Sequence, residues 1–451
     1  MIFALSFALM AAWAAAAALG LRMLLRRRAA GAAVLVFGCA AAVAQAAASL
    51  VPVGIGEPLI RIASAQFMTA AVTALAVGSF AGMRMRPPGD RAALIAALSG
   101  VPIAAAALWA LSAASTPERE RERDAARREI VLPPGFVVER YADVTNVPAD
   151  AGTFDNPTVL AFADDGAVFV GDIDGNLWRG VDADGDGRVD ALRKYADGFA
   201  LLVGLAWRSG ELYVSSAGKV EALRDVDGDG RADERRTLVD GLPSMVLAPH
   251  SNNSLTFGPD GRLYFGVGGT VAEGPEPNPR AGAILSADPD GGDVRVEARG
   301  FGNPFEVAFD RSGAMFAADS QAGETVDELN YVLPGGDYGP SGDRAPIVDF
   351  GSHATPTGLT YYDGTSFPPA YRGTLFAALW TRGEVVNLEL VPGGAGEYTA
   401  RAYPFASGFL YPIDVVVGPD DALYVVDFGT SVVYRVRPRV SPQARSATVY
   451  E

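Results

Sequence analysis

Two hydrophobic rhythms divide this chain. Over the first 116 residues apolar positions run on almost unbroken, in stretches at 2–25, 31–55, 63–83 and 92–114. Each is long enough to cross about 30 Å of hydrocarbon as a helix, so the pattern predicts four transmembrane helices. From residue 130 the rhythm changes to short apolar segments cut by Gly and Asp turns. One unit recurs six times: "DDGAVFVGD", "SGELYVSS", "PDGRLYFGV", "RSGAMFAAD", "YRGTLFAAL" and "PDDALYVVD". Its aromatics, Phe169, Tyr213, Tyr264, Phe316, Phe376 and Tyr424, are spaced by 44, 51, 52, 60 and 48 residues. A second strand of the type "VLAFA" or "GLAWR" precedes each copy. A repeat near 50 residues with several strands per unit is the mark of a propeller, because no such unit buries its faces alone. The expected fold is an all-β six-bladed β-propeller preceded by an all-α membrane region of four transmembrane helices. The expected divisions are 1–116 (membrane region), 117–130 (charged linker), 131–438 (propeller) and 439–451 (tail). The early strand "GFVVERYA" at 135–142 lies outside the six units and is expected to complete the last blade.

Charge sharpens this division. The chain has 37 basic and 53 acidic residues, for a net −16, yet the first 116 residues hold eight arginines and only Glu57 and Asp90 as acids. The acidic excess therefore lies in the propeller, which argues against nucleic acid or anionic lipid as its partner. No basic residue precedes the first apolar run, unlike a cleaved signal peptide. Arginines 26–28 and the segment 84–91 are expected on the cytoplasmic side. That orientation makes this a multi-pass protein of the cytoplasmic membrane with its propeller on the periplasmic side. The one cysteine, Cys39, permits no intrachain disulfide.

The chain contains two histidines. His250 precedes the inner strand of the third unit and His353 the matching strand of the fifth. Equivalent positions in different blades converge on one channel mouth, which makes the two histidines candidate site residues. Two acidic segments, 182–190 and 225–233, recur in consecutive units. Asp182, Asp184, Asp186 and Asp190, and likewise Asp225, Asp227, Asp229 and Asp233, have the spacing of hard oxygen ligands for calcium. Arg193 and Arg236 stand where an EF-hand has its bidentate glutamate, so neither segment is an EF-hand. Acidic β-turns without metal are the alternative.

Four segments in order, "HSNNSLTFGPDGRLYFGVGG", "ARGFGNPFEVAFD", "DELNYVLPGGDYGP" and "HATPTGLTYY", resemble the pyrroloquinoline quinone-dependent sugar dehydrogenase family. These are six-bladed propellers that include glucose and sorbosone dehydrogenase-like proteins. The resemblance covers about residues 130 to 438. It implies that His250 is the general base taking the proton from a sugar hydroxyl as hydride passes to the quinone. It further implies that Asn303, His353 and Arg382 contact the cofactor. Glu328, Tyr338 and the backbone oxygens of Ala322 and Gly323 would serve calcium. Gly302, Tyr411 and Ile413 depart from the family, which has arginines at or near these places. The expected activity is oxidation of a sugar or other alcohol or aldehyde, with membrane ubiquinone as a possible electron acceptor. No Cys-x-x-Cys-His haem motif occurs. The alternative is a non-catalytic, calcium-braced propeller binding a carbohydrate or protein partner at the same mouth.

Overall fold

The computed structural model describes residues 129–148 and 154–439, apart from 183, 187, 245–249, 272, 273, 275, 322–324, 341 and 343. The chain divides into two compact units, Met1–Glu120 and Arg121–Glu451, and the described residues all belong to the second. The four apolar runs, most of the linker and nearly all of the tail lie outside the described residues. Among the described residues no helix is long and apolar enough to cross a membrane.

Among the described residues twenty-four strands, β1 to β24 in chain order, build six four-stranded antiparallel sheets. The inner strands of blades 1 to 6 are β2 (Pro157–Phe162), β6 (Gly204–Arg208), β10 (Asn252–Phe257), β14 (Asn303–Phe309), β18 (Pro356–Tyr362) and β22 (Pro412–Val417). Each packs on the next, and β22 packs on β2, so the ring closes. The last blade is completed as expected: β1 (Phe136–Ala142) pairs antiparallel with β24 (Val432–Pro438), Phe136 opposite Pro438 and Arg140 opposite Tyr434.

The recurring aromatics are blade-to-blade contacts. In four of the six units the aromatic of the second strand meets the aromatic near the end of the next blade's inner strand: Phe169 on Trp207, Tyr213 on Phe257, Tyr264 on Phe309 and Tyr424 on Phe162, with ring centroids 4.8 to 5.5 Å apart. At these four junctions the contact explains why both strands carry an aromatic. The turn between them needs a left-handed residue, met by glycine in five units (Gly261 at φ +83°, for example) and by Asp421 at φ +59° in the sixth. Phe257→Leu keeps apolar volume but removes the edge-to-face contact with Tyr213. Urea unfolding should show a loss of about 0.5–1.5 kcal/mol.

The inner strands all begin at one face of the ring, the mouth. Strands alternate in direction, so the ends of the second strands also reach the mouth. The connections from third to fourth strand lie on the opposite face.

Candidate active site at the channel mouth

His250, Gly302, His353 and Tyr411 stand just ahead of the inner strands of blades 3, 4, 5 and 6. They form an arc around one rim. The half-buried His250 bonds through Nδ1 to the carbonyl of Gly269 at 2.9 Å. A carbonyl only accepts, so Nδ1 carries a proton, and in the neutral imidazole Nε2 then presents a lone pair. Gly269 in turn donates its N–H to the Gly302 carbonyl at 2.7 Å. A Cβ on Gly268 would lie 2.6 Å from Asn303 Oδ1 and 2.9 Å from His250 Cβ. The absence of a side chain at 268 is what lets His250 and Asn303 come together.

Asn303 is fixed from two sides. Its Oδ1 accepts from Asn253 Nδ2 at 2.9 Å, and its backbone N–H donates to Asp319 Oδ1 at 2.7 Å. Asp319 lies near the end of β15 (Met315–Ser320), is fully buried, and also accepts from Gly302 N at 3.0 Å and Gln321 Nε2 at 2.6 Å. Burial pushes its carboxyl well above the ordinary range, against the pull of these N–H donors, and the charges of Glu328 and Asp327 add to the rise. Asp427 plays the same part in blade 6, accepting from Leu410 N and Tyr411 N at 2.9 and 2.8 Å. Asp172 ends the equivalent strand of blade 1, and burial raises it to about 6. Sequence reasoning missed these three, although each follows its unit's aromatic by three positions.

The remaining predicted residues scatter. His353 is exposed on the rim at φ +58°, and its carbonyl accepts from Thr381 Oγ1. Arg382 does not reach the mouth's centre: its Nη2 donates to the carbonyl of Phe350, on the outermost strand β17 (Val348–Ser352) of blade 4. Glu328 is buried beside Asp319 on the neighbouring strand β16 (Val326–Val332), where it accepts from Asn330 Nδ2 at 3.0 Å. Desolvation, then the charges of Asp349 and Asp327, hold its carboxyl above the usual value. Tyr338 serves the other end of that strand. Its hydroxyl donates to the Tyr331 carbonyl at 2.7 Å, and its ring stacks on Phe301 at 4.7 Å. Three residues of strand, about 10 Å, separate the two positions. Ala322 and Gly323 lie outside the described residues.

The acidic segments assemble as their spacing suggests, but on the other face. Carboxylates of Asp182, Asp184 and Asp190 lie within 4.8 Å of one another, as do those of Asp225, Asp227 and Asp229. Asp186 and Asp233 fall outside these groups. Asp186 accepts from Arg188 N at 2.9 Å and Asp233 from Val226 N at 2.7 Å, each closing a turn. Both loops join a third strand to a fourth, so they cannot brace the mouth. A hollow of about 400 Å³ lined by Glu211, Arg224, Asp233 and Arg236 also lies on that opposite face. Arg236 and Glu211 pair with each other there, and Asp233 is taken up by the Val226 N–H.

An apolar floor underlies the mouth. Phe305, Ile173, Trp380 and Tyr411, all half-buried, pack on one cluster with buried Ile413 and Phe428. Trp380 stacks on Tyr411 at 5.0 Å and 23°, and tilts against Phe428 at 4.9 Å. Pyrroloquinoline quinone carries three carboxylates, which call for cations or clustered N–H donors. At Gly302 a Cβ would lie 2.6 Å from the Ser320 carbonyl and 2.8 Å from Gln321 Oε1, so an arginine cannot enter without moving backbone. With Tyr411 and Ile413 in the floor and Arg382 tied to Phe350, the described residues do not fit this quinone as the resemblance would hold it.

Comparison with known proteins bears on the scaffold. A family model for a domain of unknown function, DUF7133, matches residues 122–341. No curated protein matches the chain. A Thermus thermophilus structure, described as an oxidoreductase (glucose dehydrogenase), is 24% identical with TM-score 0.54, covering 67% of this chain and all of its own. The PQQ-bound aldose sugar dehydrogenase of Streptomyces coelicolor is 20% identical with TM-score 0.53, covering 68% of this chain and all of its own. The PQQ domain of Coprinopsis cinerea pyranose dehydrogenase, in its holo form, is 14% identical with TM-score 0.54, covering 69% and 97%. The chain shares their fold.

Proposed function

We propose that this chain is an oxidoreductase of the sugar dehydrogenase kind, oxidising a sugar or other alcohol or aldehyde at the mouth. The observation that carries this reading is His250, whose Nδ1 is committed to Gly269 and whose side chain shares the tight space over Gly268 with Asn303. His250 Nε2 takes the hydroxyl proton of the substrate as its carbon loses hydride. Asn303, held by Asn253 and Asp319, orients the hydroxyl. Fold neighbours described as glucose, aldose and pyranose dehydrogenases support the same class. The purified full chain, offered a panel of aldoses and polyols with an electron-accepting dye, should oxidise at least one. Deuterium on the reacting carbon should then slow turnover, and no turnover across the panel would sink the reading.

A binding module for a carbohydrate or protein partner is the second reading, favoured by the closure of position 302 to arginine. In either case the apolar runs anchor the chain in the cytoplasmic membrane with the propeller outside. A reporter fused after Glu451 should be active on the periplasmic side and one near Pro87 on the cytoplasmic side; the reverse pattern overturns this orientation. Calcium fits the oxygen donors of the two acidic loops and would brace blades 1 and 2 away from the mouth. Chelation should lower the melting temperature and leave ligand affinity at the mouth unchanged.

A further inference from the structure

We infer that the floor of the mouth seats a neutral planar two-electron acceptor of the benzoquinone class rather than a tricarboxylate. This rests on the oxidoreductase reading and names the acceptor of that same site.

Five of the six inner strands have an irregular register just below the mouth. In blades 1, 3 and 5 a polar residue there reaches the next blade's backbone: Thr158 the carbonyl of Leu202, Asn253 that of Pro304 and Thr357 that of Pro412. In blades 4 and 6 the corresponding residues are Phe305 and Ile413. Their hydrocarbon side chains make no such bond and instead enter one apolar cluster with Ile173 of blade 1 and Trp380 of blade 5. The result is a floor drawn from four blades, with the flat Trp380–Tyr411 stack as its wall. Flat aromatic surface favours offset stacking of another uncharged ring.

Charge argues the same way. The rim positions that would carry cations are closed at Gly302 or apolar at Ile413, and Arg382 is turned to Phe350. Directly behind the rim stand the buried carboxyls of Asp172, Asp319 and Asp427. Among the described residues an anion with three carboxylates would be desolvated there without a compensating guanidinium, whereas a neutral quinone meets no such penalty.

The chemistry balances. The substrate carbon transfers hydride, with its electron pair, to the quinone, and the substrate hydroxyl gives its proton to His250 Nε2. The substrate becomes a carbonyl compound. The quinone, with the hydride and one proton passed on from His250, becomes the hydroquinone. Two electrons and two protons have moved.

The test is equilibrium binding to the purified full chain, with 2,3-dimethoxy-5-methyl-1,4-benzoquinone and pyrroloquinoline quinone as probes, calcium present. The benzoquinone should bind at least tenfold more tightly. Trp380→Leu should weaken it by about tenfold, with circular dichroism confirming an intact propeller. Tyr411→Arg, which places a cation on the rim, should shift preference toward the tricarboxylate. Tighter binding of pyrroloquinoline quinone by the wild-type chain, or benzoquinone affinity indifferent to both substitutions, overturns the inference. Binding needs no sugar, so a chain that binds the benzoquinone at Trp380 yet oxidises no sugar defeats the proposed activity and leaves the acceptor seat standing.

Discussion

His250→Ala is expected to lower kcat by on the order of 10²–10⁴-fold while leaving substrate and acceptor affinity nearly unchanged. The asymmetry follows from where the imidazole acts. Its Nδ1 bond to Gly269 holds the ring whether or not substrate is present, so little binding energy depends on Nε2. Proton acceptance matters only as the hydroxyl's bond to hydrogen breaks, and that is a transition-state contribution. Steady-state kinetics on the best substrate of the panel would separate kcat from KM. A variant that loses affinity but turns over normally would make His250 a lining residue and remove it from the chemistry.

The second large effect concerns the channel below the floor. Glu306 on β14 and Asp414 on β22 face each other there, each pushed up by burial, Asp414 to about 7, with the neighbouring Asp414 charge raising Glu306 further. Ser254 Oγ and Leu359 N donate to Glu306 at 2.8 and 2.9 Å, and Leu160 N donates to Asp414 Oδ2 at 2.8 Å. Among the described residues Asp414 Oδ1 has no hydrogen-bond donor, as suits two carboxyls sharing a proton. Both folded values lie above the unfolded ones, near 4. The folded state therefore binds the extra proton. Its stabilising contribution is complete below about pH 4 and is lost as pH rises through about 7. Unfolding free energy should fall by a few kcal/mol between about pH 5 and 8. Asp172, Asp319 and Asp427 are raised as well and broaden the descent. Glu306→Gln keeps one acceptor for Leu359, adds a donor toward Ser254 or Asp414, and should flatten the profile. A stability curve equally steep in that variant would show that the pair does not control it.

The ring and its closure were legible because they rest on repetition: six turn-and-aromatic units cannot bury themselves singly, and "GFVVERYA" had no partner but the last blade. The equivalence of His250 and His353 followed from the same alignment. Arg382 was not legible, because its guanidinium is claimed by the Phe350 carbonyl, 32 residues away in sequence. The acidic loops were found, but their face depends on counting strand reversals, and spacing alone is silent about that. Glu306 and Asp414 did leave a trace. Each follows a proline by two positions, in "NPFE" and "YPID", an acid inside an otherwise apolar strand. Such an acid needs a partner in the core, and only the closed ring supplies it.

The pairing of β1 with β24 also sets a timetable. The earliest strand of the ring is made almost 300 residues before the strand it binds. At about 5–20 residues per second, it waits roughly 15 to 60 s with an open edge after leaving the ribosome. Blades 1 to 5 can form their own sheets during that interval, but nothing holds the circle shut. Any ribosome stall or proteolytic cut upstream of Val432 would release an open arc exposing two unpaired faces, a natural client for chaperones and proteases.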